Sequence, residues 1–107
     1  METEHKKAIQ REILVGFWKV HILHHAASGP VVGQWMLSEL RRHGYEVSPG
    51  TLYPMLHRLE KLGWLRSEVD PGKGNKARRS FYLTEKGARV LTIVRECLGA
   101  LRLEAGP

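Results

Sequence analysis

The chain has 107 residues, enough for one domain with one modest core. Its 17 Lys and Arg outnumber 11 Asp and Glu, and the resulting charge of +6 favours a polyanionic partner. The single cysteine, Cys97, excludes an internal disulfide and suits a reducing cytoplasm. The charged start METEHKKAIQRE has no apolar core directly behind it, so no signal peptide is expected. The apolar run 13–23 is too short for a membrane span and is interrupted by Lys19 and His21.

Residues 3–27 read as a first helix. Ile9, Ile13, Phe17, Val20 and His24 fall near one side, and Leu14, Trp18, Ile22 and His25 near another. A helix apolar around most of its circumference needs two neighbours, here expected to be its own domain and a partner subunit. Ser28-Gly29-Pro30 breaks this helix. A second helix is predicted over 33–43, with Trp35 or Met36, Leu37 and Leu40 inward and Glu39, Arg41 and Arg42 outward. Gly44 closes it, and Tyr45-Glu46-Val47 makes the short connection expected within a helix-turn-helix.

The third helix begins after Ser48, whose hydroxyl can cap the first turn, and Pro49 suits the first helical position. Pro54 lies within about a turn of this start, and the carbonyl its ring would strike belongs to Gly50, where the backbone can relax. Leu52, Met55, Leu56, Leu59 and Leu62 share one side and should face a core. The opposite side collects Tyr53, Pro54, His57 and Lys61, with Thr51 and Arg58 on its flanks. Gly63 ends the helix. Strands are predicted over 64–69 and 79–83, joined by the turn-rich, basic tip 70–77.

Thr84 can cap a last helix over 85–103. On it Val90 or Leu91, Val94, Cys97 or Leu98, and Leu101 alternate at spacings of three and four, the seam of a two-helix pack. A homodimer is therefore expected, with Ile13, Phe17, Trp18 and Ile22 of the first helix and Val90, Leu91, Val94, Cys97, Leu98 and Leu101 of the last at its interface. The fold class is mainly α with a small β-hairpin: a winged helix-turn-helix over 1–84, then a C-terminal dimerisation helix over 85–107.

Three segments, GQWMLSELRRHGYEVS (33–48), SPGTLYPMLHRLEKLGWL (48–65) and RRSFYLTEKG (78–87), resemble the PadR family of transcriptional regulators. They cover roughly half the chain in unbroken order, and with only about one helix after Gly87 it looks like the short subfamily. The resemblance implies a homodimeric DNA-binding repressor with an N-terminal winged-helix domain. Some short members hold flat aromatic ligands between their dimer helices against a C-terminal Trp. The last helix here has no Trp; Trp18 and Trp35 could instead line a pocket for a small aromatic effector between subunits.

Within this frame the polar strip of the third helix would enter a major groove of double-stranded DNA. Tyr53, His57 and Lys61 are assigned to base edges, and Thr51 and Arg58 to phosphate. Ser48, Gly50 and Pro54 belong to the same approaching helix end, and Lys73, Lys76, Arg78 and Arg79 form the cationic set of the wing. Two alternatives stay open: Tyr53 could pack against the second helix, and Arg58 could pair with Glu39 or Glu60. A wing used for protein docking would be expected to expose more apolar side chains than this one does.

Other chemistry is weaker. His21, His24 and His25 have spacings that can hold a transition metal, but no Asp, Glu or Cys lies nearby in sequence and HExxH is absent. Packing of these histidines against another helix is expected, with no metal and no cofactor. Cys97 could meet its symmetry mate, but a buried, inert thiol is the expected state. No phosphate loop, nucleophile elbow or Cys–His motif points to an enzyme.

Overall fold

The computed structural model describes residues 2–71 and 78–106. The chain is helical from Glu2 to Ala26, as α1 (Glu2–Ile9), a π-wound stretch (Gln10–Leu14) and α2 (Val15–Ala26). Then come β1 (Val31–Val32), α3 (Gly33–Arg42), α4 (Pro49–Lys61), β2 (Leu65–Asp70), β3 (Arg78–Leu83) and α5 (Glu85–Ala105). Among the described residues no helix is long and apolar enough to cross a membrane.

The expected two-stranded wing is part of a three-stranded antiparallel sheet of order β1-β3-β2. Leu65 pairs with Leu83 and Asp70 with Arg78 along the hairpin, while Val31 pairs with Phe81 and Val32 with Ser80 on the other edge of β3. β1 is two residues long, too short to show the alternation that marks a strand, and it exists because β3 offers a free edge. It ties the end of the first helical segment to the wing.

The core lies between α2, α3, α4 and the sheet. Ile22, Met36, Leu40, Leu52, Leu56 and Leu59 are fully buried, closed off by Val31, Leu65 and Phe81 from the strands. The stripe of α4 packs inward as its spacing requires, and truncating one of these leucines to alanine costs about 2–5 kcal/mol in a well-packed core. Trp35, offered as an alternative to Met36, is outside this core and half-exposed.

Three residues assigned to a dimer interface belong instead to this core. Trp18, Ile22 and Leu91 retain only 2, 0 and 3 % of their surface, which leaves nothing for a partner to cover. Trp18 meets Tyr45 edge-on at 5.9 Å, and Leu91 holds the start of α5 against the domain. The helix period located both faces of the first helix, but it could not say which face its own domain claims. Ile13, Phe17, Leu98 and Leu101 stay exposed, as does Cys97, and Val90 and Val94 are half-buried.

The junction of wing and last helix is closely fitted. Gly63, at φ +82°, ends α4. The Thr84 hydroxyl donates to the Gly63 carbonyl at 2.6 Å and accepts from the Gly87 amide at 2.9 Å, so one side chain caps α5 and closes α4. Gly87 is buried there because a Cβ would strike the Trp64 carbonyl and lie 2.8 Å from Leu83 Cδ1.

Candidate nucleic-acid interface

With its leucine stripe buried, α4 turns Thr51, Tyr53, Pro54, His57, Arg58 and Lys61 to solvent, together with Pro49 and Gly50 at its start. These are the residues that the helical period collects on the outer side. Pro54 is accommodated within the helix. The Ser48 hydroxyl does not cap an amide. It points to the Thr51 hydroxyl at 3.3 Å, while the Ser48 carbonyl accepts from the Thr51 and Leu52 amides. The expected cap hydrogen bond is thus replaced by a pair of hydroxyls exposed at the helix end. Behind them, Arg41 Nε donates to the Val47 carbonyl at 3.1 Å and fixes the turn that presents this end.

Tyr53 and His57 share a concavity of about 450 Å³ with Arg78 and Arg79 of the wing, floored by Gly33 and Phe81. His57 stands edge-on to Phe81 at 6.0 Å. Tyr53 does touch α3, because its ring occupies the space a side chain at Gly33 would take, yet it keeps 40 % of its surface. Gln34, which sequence reasoning passed over, lines the same concavity. Its place at the exposed start of α3 was the available signal.

The charges sort into held and free. Glu60 accepts from the Ser67 amide at 3.0 Å and from the Ser67 hydroxyl at 2.5 Å, and Arg79 donates to that same hydroxyl at 2.8 Å. The wing is thereby tied to α4. Glu39 is taken by Arg42 through two hydrogen bonds of 2.9 Å. Both carboxylates proposed as partners for Arg58 are therefore engaged elsewhere, and among the described residues no carboxylate pairs with Arg58. Arg78 is exposed at the concavity, and Lys61 is exposed one turn beyond His57. On the hairpin, Arg66 lies 4.4 Å over the Tyr82 ring and pairs with Glu68 at 2.7 Å. Lys73 and Lys76 fall outside the described residues.

The histidines divide differently from their order in sequence. His24 turns to α5, where Arg95 Nη2 lies 3.0 Å from its Nδ1. His21 and His25 turn to the end of α3 and meet His43 and Glu39. Burial, helped by the neighbouring imidazoles and opposed by the Glu39 carboxylate, leaves both His21 and His25 less basic than usual. The Arg42 hydrogen bonds hold the Glu39 carboxyl down at about 2. Trp35 stands edge-on to His25 at 5.2 Å beside an open hollow lined by Pro30 and Ser38. With Trp18 inside the core, a pocket using both Trp18 and Trp35 is ruled out, and of the two Trp35 is accessible.

Known proteins share this architecture. Over 86 residues, 80 % of this chain and 79 % of the relative, it is 52 % identical to transcriptional regulator Rv3488 of Mycobacterium tuberculosis. A PadR family transcriptional regulator from Eggerthella lenta superposes with a TM-score of 0.73 at 32 % identity, over 92 % of this chain and 83 % of that one. Bacillus subtilis PadR, solved in complex with operator DNA, has the same fold at 19 % identity, with a TM-score of 0.63 over 69 % of this chain and 42 % of its own. Residues 22–93 match the Transcriptional regulator PadR-like family. The chain belongs to this family of transcriptional regulators.

Proposed function

We propose that the chain is a cytoplasmic repressor that binds a specific double-stranded DNA operator as a homodimer. The observation that carries this reading is the exposed strip of Tyr53, His57 and Lys61 on α4, flanked by unpaired Arg58 and by Arg78 of the wing. It is a rigid, cationic, partly aromatic rod face of a width that fits a major groove. Phosphate contacts from Arg58, Arg78, Arg79, Lys73 and Lys76 supply most of the affinity, and the strip supplies discrimination. The family's members are regulators and not enzymes, and its Bacillus subtilis member was solved on operator DNA.

Dimerisation runs through the apolar residues that the domain leaves exposed: Ile13 and Phe17 on the N-terminal helices, Ile93, Leu98 and Leu101 on α5. Residues 1–84 form the DNA-binding unit and 85–107 the dimerisation helix. Two reading helices related by a two-fold axis require an inverted repeat with half-sites about 10 or 20 base pairs apart. An aromatic effector, if the protein responds to one, has exposed Trp35 to stack on. The experiment is a gel shift on the DNA upstream of the protein's own gene, with excess random competitor. A discrete shift that survives competitor supports the reading; a shift abolished equally by random DNA refutes specific recognition.

A further inference from the structure

Side chains of α2, α3 and the turn after α3 converge on one point. One ring nitrogen from each of His21, His25 and His43 lies within 4.8 Å of the others. Glu39 Oε2 is 3.4 Å from Nε2 of both His25 and His43. The His21 ring centroid is 5.1 Å from that of His43 and 6.4 Å from that of His25. Each neutral imidazole has one N–H and one lone pair, so with the Glu39 carboxylate the cluster holds more acceptors than donors, while protonated imidazoles repel one another. A divalent ion resolves both conditions, since it binds the neutral form through its lone pairs.

The distances suit an ion of zinc type. Bonds of about 2.0–2.1 Å in a tetrahedral site put donor atoms about 3.4 Å apart. The Glu39 oxygen already stands at that separation from two imidazoles. The ring nitrogens need to close by no more than about 1.4 Å, a small rotation for side chains of which His43 is exposed and His21 and His25 only half-buried. Arg42 grips the carboxylate through both oxygens, Nε on Oε1 and Nη2 on Oε2, each at 2.9 Å, which orients it and leaves Oε2 a second lone pair for an ion.

We propose that His21, His25 and His43 bind one divalent transition-metal ion, with Glu39 Oε2 as the fourth donor. The ion would clamp α2 to the end of α3, next to the turn that presents α4. This site does not depend on the DNA-binding reading, and either can fail alone. The test is calorimetric titration of zinc chloride into the tag-free full chain near neutral pH, with cobalt as a spectroscopic probe. One ion per chain is expected, with the visible absorption of tetrahedral cobalt. His43→Ala, at an exposed position, should weaken binding at least about tenfold. His24→Ala, one residue from the cluster but directed at Arg95, should leave it unchanged. No saturable binding, equal affinity in His43→Ala, or an equal loss in His24→Ala would overturn the proposal.

Discussion

The ring of Tyr53 occupies the space of the side chain that Gly33 lacks: a Cβ there would come within 2.5 Å of Tyr53 Cε1. The start of α3 thereby sets where a residue of the reading helix stands. Gly33→Ala should move the ring outward, since it is an exposed side chain and not backbone. Stability should change by less than about 1 kcal/mol, because alanine suits a helix better than glycine. Operator affinity should fall. Thermal unfolding and DNA binding measured on the same variant check the two halves of this expectation.

Gly87 permits no such escape, because the obstacle is the Trp64 carbonyl. Gly87→Ala should cost about 2–3 kcal/mol, the scale of overpacking a close backbone contact, and lower Tm by about 10 °C or more. Denaturant unfolding measures it.

Thr84 bonds to both Gly63 and Gly87, so Thr84→Val should cost about 1–2 kcal/mol while Thr84→Ser keeps most of the stability. The comparison separates the hydroxyl from the methyl group.

Phe17 and Leu98 line one apolar groove between α2 and α5, of about 280 Å³, and both are more than a third exposed. If this groove is covered by a second copy, the double substitution Phe17→Glu, Leu98→Glu should give a folded monomer. Analytical ultracentrifugation with circular dichroism decides it; a wild-type chain that is monomeric at micromolar concentration would refute the dimer.

Arg58 has no carboxylate partner among the described residues, so its charge is available to phosphate. Arg58→Ala should weaken operator and random duplex alike and reduce the slope of log K against log salt by about 1 per subunit. The same outcome is expected for Lys73→Ala and Lys76→Ala. An unchanged slope would remove that residue from the phosphate-binding set.

Much of this was legible in the sequence because it is local. The leucine spacing of α4 settles which side of that helix is outward, and Gly63 and Thr84 mark its end and the next start. What was not legible depends on packing at a distance. Trp18 and Ile22 could face either neighbour until their own domain buried them. β1 has no periodic signal and is made by β3. The carboxylate missing beside the histidines in sequence is supplied in space by Glu39, eighteen and fourteen residues after His21 and His25. Ser48 looked like a cap by residue type, but its hydroxyl found Thr51.

The most direct measurement is fluorescence anisotropy of Tyr53→Ala and Lys61→Ala on the operator and on a random duplex at one salt concentration. The account predicts a loss of about 1–3 kcal/mol on the operator and a markedly smaller one on random DNA. Equal losses on the two would contradict base reading by the outer face of α4.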